Sequence, residues 1–469
     1  MDRHRTALSI IAAALILGLA WDVLLRYVPW GVNALLWTAL FVAAPVVCGK
    51  RPLLFPTLSA LGAAAGLMWR DADTLVLLDI LLLFAFLQML ALDARGVRLR
   101  AAGITEIGTA VAVTGAQAVA GFPQLLAQDL TWKQVPNGSI RGAGVAVRGT
   151  LIALPALIVF GALLASADPE LGRILRNIGL LDFQELLQHL LVIAIVTAVC
   201  AGFLRSFVLS GAMPRITRPS FLRLPAAEVT FALGLVNALF ALFVALQFRY
   251  FFGAPPARLA EYARRGFFEL VWVVALVVPM LLLLDWLIAN ESGGKGKFRL
   301  MAVVQVALVF AIAFSAYHRM ALYRDEYGLT RLRLYTTAFM FWVAVLLVWL
   351  VVTVLTGHRE RFAIGVLATA VAAVAILHII NPDALIVRTN LARAEAGRRP
   401  LDTRYTMSLS ADAAEVILGD PRFPKELAQE YAQRMKRKTI GWRTWNVSRA
   451  QAIELAKPYP RSPAELRRR

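Results

Sequence analysis

Residues 335–356 read YTTAFMFWVAVLLVWLVVTVLT, uncharged from end to end and dominated by Val, Leu, Phe and Trp. As a helix such a run crosses the roughly 30 Å hydrocarbon layer of a bilayer, a length of unbroken apolar chain that a soluble core rarely needs. Similar runs recur near 31–48, 74–92, 150–167, 189–209, 227–252, 268–289, 300–317 and 362–380. Segment 7–26 joins them despite Asp22, and 52–69 does so although Pro52 and Pro56 crowd its start. The expected fold is all-α: a polytopic transmembrane bundle of about twelve spans with a small helical C-terminal soluble tail. The hydrophobic share of 59% and mean hydropathy of +0.66 agree with this, since soluble domains hold about 45–50% apolar residues.

The weakest run is 104–126, where Glu106, Gln117, Gln124 and many small residues dilute the signal; it spans, re-enters or lies on the interface. If it spans, both termini face the cytoplasm with Arg3, Arg5, Lys50, Arg51 and Arg95, while Arg205, Arg215, Arg218 and Arg223 fall awkwardly outside. If it does not, that group moves inside and the tail moves out. A long basic tail is poorly explained outside, so twelve spans is the expectation. Three regions follow: N-terminal transmembrane helices over 1–226, further transmembrane helices over 227–381, and a basic helical cytoplasmic tail over 382–469.

The net charge of +19 invites a nucleic-acid reading, but residues 382–469 hold only 18 of the 49 Lys and Arg and 10 of the 30 Asp and Glu. The rest is scattered over short loops without a sustained basic stripe, so the bilayer is the expected partner and nucleic acid is not. Anionic headgroups or a cytoplasmic protein are further partners the tail could reach, because Arg434, Lys436, Arg437, Lys438 and Arg443 lie beside Trp442 and Trp445. Arg3 and Arg5 before an apolar run, with Gly18-Leu19-Ala20, mimic a signal peptide; the spans that follow at once favour an uncleaved first helix.

No catalytic signature, cofactor motif or metal-ligand spacing is present. Cys48 and Cys200 make neither a disulfide framework nor a zinc pattern, and the five histidines lack a helical metal spacing. Gly293-Gly294-Lys295-Gly296-Lys297 lacks the spacing and hydroxyl of a phosphate loop, and Asn446-Val447-Ser448 matches a glycosylation acceptor that occurs often by chance. Pro155 and Pro279 should kink their helices. Asp79, Asn237, Gln247, Asp285, Gln305 and His378 are costly in hydrocarbon and should face other helices or water. In the tail, Asn381-Pro382-Asp383 reads as a helix start, Ser410, Pro424, and Asn446 or Ser448 open further helices, and Tyr405, Leu409, Val416, Ile417, Phe423, Leu427 and Tyr431 supply apolar contacts. So small a core should pack on the membrane part or on a partner.

Three stretches stand out: Gln247–Gly253 with Glu261–Leu270; His318-Arg319 with Tyr323–Tyr335; and Asn381–Asn390 with Leu401–Tyr405 and Leu409–Ala413. At these residues the chain resembles the bacterial membrane family called domain of unknown function 4173, over roughly 227–456. The resemblance implies a multi-pass bacterial inner-membrane protein and brings no substrate, reaction or catalytic residue. Within the first stretch Glu261, Arg265 and Glu269 are spaced four apart and line one helical stripe, with Arg264 beside them and Gln247, Arg249 and Tyr250 on the preceding helix. This cluster is the candidate site, as a charge ladder entering the membrane or as a helix-hairpin clamp. The functional readings are a transporter-like protein for a small polar solute or lipid, a membrane scaffold or signalling partner, or a membrane enzyme acting on a lipid-linked substrate.

Overall fold

In the computed structural model the described residues are 3–97, 104–130, 183–211, 224–251, 267–288, 295–438 and 440–460, with the single positions Ala153, Phe160, Leu164 and Asp168. Helices account for the architecture, and no strand occurs among the described residues. The membrane part comprises α1 (Arg3–Leu25), α2 (Val32–Val47), α3 (Leu54–Trp69), α4 (Asp73–Ala94), α5 (Ile104–Gln124), α6 (Phe183–Val208), α7 (Ala226–Phe251), α8 (Phe267–Leu287), α9 (Lys295–Tyr327), α10 (Arg331–Thr353) and α11 (Phe362–Ile380). Nine stretches among these are long and apolar enough to cross a membrane, and α2 and α3 are shorter apolar helices. Hydrocarbon offers no partner to a free N–H or C=O, so a spanning segment must close its hydrogen bonds within itself as a helix. Phe231, Trp272 and Ile379 point outward, as lipid-facing side chains do. The chain is therefore a multi-pass, all-α membrane protein. The expected run at 150–167, and Pro155 within it, lie outside the described residues.

Two helix groups pack separately. Alternating small and large residues from α1 to α6 build one core, including Ile10, Leu17, Phe41, Leu67, Phe86 and Phe203. Residues from α7 to α11 build a second, including Leu233, Val274, Phe298, Val309 and Leu347. Small residues permit the tightest crossings. A Cβ on Gly202 of α6 would lie 2.2 Å from the Ala118 carbonyl of α5, and one on Gly18 of α1 would lie 2.2 Å from Thr197 Oγ1. The groups meet along a narrow seam, where Ala72 and Leu75 pack on Leu377 with Tyr335 and Ala338 at the edge.

The tail forms α12 (Pro382–Glu395), α13 (Thr403–Met407), α14 (Ala414–Gly419), α15 (Lys425–Arg437) and α16 (Val447–Ala456). The expected starts are there: Asn381 accepts from Ala384 N, Ser410 from Asp412 N and Asn446 from Arg449 N. Each satisfies one of the free amides at a helix beginning. Leu409, Val416, Ile417, Phe423 and Tyr431 are buried together, with Tyr405 and Leu427 at the margin and Leu329 contributed by the membrane part.

The ends of the helices sort into two sets. Arg443 donates to the Val23 carbonyl and Val32 N donates to the Trp445 carbonyl, so the tail docks where α1 ends and α2 begins. Arg3, at the far end of α1, pairs at 2.6 Å with Asp129, which also holds Arg205 at 2.6 Å. Arg95 donates to Gln117, placing that residue at the same far end. The 104–126 run is thus helical, but Gln117 is fixed on Arg95 and Asp129 on Arg3, both at the same end, with a π turn at Leu125–Asp129 following Pro123.

Candidate functional site

The connection between α3 and α4 is three residues long, Arg70-Asp71-Ala72, and each of them is used. The last carbonyls of a helix have no partner of their own and carry partial negative charge, which makes them targets for cations and amides. Arg70 gives two hydrogen bonds to the His378 carbonyl at the end of α11, 3.0 Å from Nε and 2.6 Å from Nη2, while lying over the Trp69 ring. Asn446 donates to the Leu67 and Arg70 carbonyls at 3.1 and 3.0 Å, and Ser448 Oγ to the Trp69 carbonyl at 3.0 Å. Asn446 and Ser448 of the Asn-Val-Ser tripeptide therefore form a buried clasp on the end of α3.

Two aspartates exchange amides across the same junction. Asp412 Oδ2 accepts from the Asp71 and Ala72 amides at 2.9 and 2.7 Å, and Asp71 accepts from Ala411 N at 3.3 Å. Asp71 also holds Arg449 at 3.0 Å and Lys438 at 3.4 Å. Beside them Asp383 takes the two-pronged guanidinium of Arg331, 2.8 Å from Nε, and both the amide and hydroxyl of Ser410 at 2.9 and 2.7 Å. Burial would push the Asp383 carboxyl up, but Arg331 and Ser410 outweigh it and leave it below its ordinary value. For Asp412 burial wins, since Arg70 stands 3.9 Å away, and the carboxyl is raised.

Just inside the helices lies a second element. His378 Nε2 is 3.1 Å from Asp79 Oδ2 on α4, and its Nδ1 is 3.0 Å from the Val374 carbonyl. Trp69 covers the imidazole at 5.6 Å between ring centres. Gly66 lets α3 close over the pair, because a Cβ there would come within 2.7 Å of the Asp79 carboxylate. Asp79 sits six residues into α4, about 9 Å of helix rise from its start.

The sequence-derived candidates separate sharply. Glu261, Arg264 and Arg265 lie outside the described residues, as do the side chains of Gln247, Arg249, Tyr250 and Glu269, whose backbones belong to α7 and α8. The second stretch joins the junction: Asn390 clasps Leu329 through both its N–H and C=O, Arg399 pairs with Glu326 at 2.9 Å, and Arg333 lies over Tyr323. The third supplies Asn381, Asp383, Ser410 and Asp412. Of the lone polar residues, Asp79 and His378 find each other, Asp285 pairs with Arg359 at 2.7 Å, and Asn237 donates to the Met301 carbonyl at 2.9 Å. Arg70, Asp71, Asn446, Ser448 and Arg449 carry the junction without having been singled out as a site; their signal was a short charged turn opposite a polar, tryptophan-bearing tail segment. Among the described residues no group of His, Cys, Asp or Glu could hold a metal ion.

Residues 57–419 match the family described as Domain of unknown function (DUF4153). The chain belongs to that family. It is a different family from the number 4173 that the resemblance pointed to, although both are domains of unknown function, and the match begins far upstream of residue 227. It takes in Arg70, Asp71, Asp79, Arg331, His378, Asp383 and Asp412 and stops before α15 and α16, which with the residues that flank them supply Lys438, Asn446 and Arg449. No curated protein and no solved structure matches the chain.

Proposed function

We propose that this is a transporter-like membrane protein of the bacterial inner membrane, in which two helix groups rock against each other about a seam that the tail clamps at one end. The observation that carries it is the Asp79–His378 pair, an ionisable contact buried where two largely separate cores meet, beside the apolar contacts of Leu75, Leu377 and Leu367. Ionisable side chains inside a membrane are expensive, and they collect where protons, ions or moving parts need them. With Nδ1 donating to Val374, a proton shared between Nε2 and Asp79 completes the contact, so proton loss or gain would alter the seam itself. The tail gives the seam a fixed end, since Arg70, Asn381, Asp383 and Asp412 link α3, α10, α11 and the tail. The cargo in this reading is a small polar solute or a lipid. A scaffold with a recruiting arm is less well supported, because the tail is bolted down at many points.

The orientation follows from the two sets of helix ends. Arg3 and the tail sit at opposite ends of α1, which supports an odd number of crossings rather than twelve. Arg205 shares Asp129 with Arg3, which supports placing that basic group with the N-terminus in the cytoplasm and the tail outside. A folded domain crosses largely regardless of its charge, so the basic composition of the tail does not oppose this.

Spin labels at Val47→Cys and Thr356→Cys, in a Cys48→Ser/Cys200→Ser background, report the distance between the groups at the unclamped end. Two distance populations whose ratio shifts with pH or with mixtures of small polar solutes are expected. One fixed distance under all conditions would remove the rocking reading.

A further inference from the structure

The tail hides its large apolar residues, with Leu409, Phe423, Tyr431 and Met435 all buried. Among the described residues of the tail three exceptions occur, Leu455 at 38% and two that sit together: Trp442 is 67% and Trp445 42% exposed, on and just after the short turn Trp442–Thr444. That turn is fastened to the membrane helices. Arg443 donates to the Val23 carbonyl, Val32 N donates to the Trp445 carbonyl at 2.9 Å, and a Cβ on Gly31 would lie 2.4 Å from that same carbonyl. Tyr27, 80% exposed, belongs to the same loop between α1 and α2. Along those two helices Ile16, Leu19, Val23 and Leu36 also face outward. The three aromatic rings therefore continue a lipid-facing strip at the level where helices end and water begins. Charge completes the pattern. Arg26, over the Tyr27 ring, is neutralised by Asp22 at 3.0 Å, whereas Arg443 hydrogen-bonds a carbonyl and has no carboxylate partner among the described residues.

We infer that residues 441–446 are a lipid anchor, in which Trp442 and Trp445, with Tyr27, lie in the headgroup layer and Arg443 holds a phospholipid phosphate. Indoles favour this zone because one edge is polar and the ring is apolar, and a guanidinium matches phosphate geometry. A protein partner would also accept two exposed indoles. The continuity with the outward faces of α1 and α2, and the backbone bonds that hold the turn at their ends, favour lipid.

The full chain is reconstituted in nanodiscs of phosphatidylcholine and phosphatidylglycerol, with and without bromine on the upper acyl chain. Subtracting the emission of the Trp442→Phe/Trp445→Phe variant from that of the wild type isolates these two indoles, and matched circular dichroism shows that the variant is folded. The expected difference spectrum is quenched by brominated lipid and hardly touched by aqueous iodide. A difference spectrum that ignores bromine and is quenched by iodide would overturn the anchor and leave a water-facing surface open to a protein. Arg443→Gln should lower the number of phospholipids retained through delipidation, counted by native mass spectrometry. Unchanged retention would overturn the phosphate contact.

Discussion

His378 on α11 and Asp79 on α4 stand 3.1 Å apart and join the two helix groups beside the apolar seam of Leu75 and Leu377. Arg70 holds the carbonyl of the same His378 from below, so the Asp79 contact and the tail junction are anchored to one residue. Any movement at the seam would therefore be transmitted to the junction where the tail docks.

Removing one member of this pair should therefore be worse than removing both. His378→Leu leaves the Asp79 carboxylate buried without its partner, and such a loss costs about 3–5 kcal/mol. The double variant Asp79→Leu/His378→Leu should recover most of that loss. Thermal unfolding in detergent measures both. If the double variant is as unstable as the single one, the pair is not the element holding the seam.

The two junction aspartates should respond oppositely to acid. Asp383 has its folded-state value depressed by Arg331, so its stabilisation is present above the ordinary carboxylate range, near ~4, and is lost as pH falls through the depressed value. Asp412 is raised by burial, so its charge opposes docking above that raised value and the opposition fades as pH falls. Asp412→Asn keeps an acceptor for the Asp71 and Ala72 amides and should hold or slightly raise stability at neutral pH. Asp412→Ala strands those amides, at about 1–3 kcal/mol for each buried group left unpaired. Protease sensitivity of the tail across pH reads both variants, and equal behaviour of Asn and Ala would contradict this assignment.

Much of this architecture could be read from the chain because hydrocarbon imposes one rule on every span. The runs at 74–92 and 362–380 lie within α4 and α11, the run at 335–356 outlasts α10 by three residues, and the caps at Asn381, Ser410 and Asn446 rest on bonds to amides two or three residues away. The junction could not be read in the same way. Arg70 meets His378 across 308 positions and Asn446 meets Leu67 across 379, so nothing local announces either contact. Asp79 and His378 were each conspicuous as polar residues in apolar runs, but the choice of partner is made by how α4 and α11 pack. The Asn381 cap was legible, whereas its left-handed backbone (φ 53), which turns the chain out of α11 into the tail, was not.

Glycine packing gives a contrast within one membrane part. Gly202→Ala would press a methyl against the Ala118 carbonyl, and overpacking of that kind costs about 1–3 kcal/mol. Gly62 of α3 has nothing within 4 Å of a Cβ, so Gly62→Ala should be neutral or gain up to ~1 kcal/mol from lost chain entropy. Comparing the two melting temperatures checks the α5–α6 crossing, which fails if Gly202→Ala is as well tolerated as Gly62→Ala.

The sharpest test concerns the direction in which the chain crosses. Gly49 follows α2 at the Arg3 end, and Gly397 lies in the exposed turn after α12. If Arg3, Lys50, Arg95 and Arg205 all belong to the cytoplasmic end, the basic residues of the short connections gather there, as the positive-inside tendency requires. The twelve-span alternative puts Arg205 opposite Arg3, and one Asp129 could not then hold both at 2.6 Å. A paired reporter that is fluorescent only in the cytoplasm, or active only as a phosphatase outside it, is inserted after Gly49 and after Gly397. The expected result is a cytoplasmic signal at Gly49 and an external signal at Gly397. Two cytoplasmic signals would return the tail to the inside and would require α5 to cross in full, with Gln117 and Asp129 released from the Arg3 end.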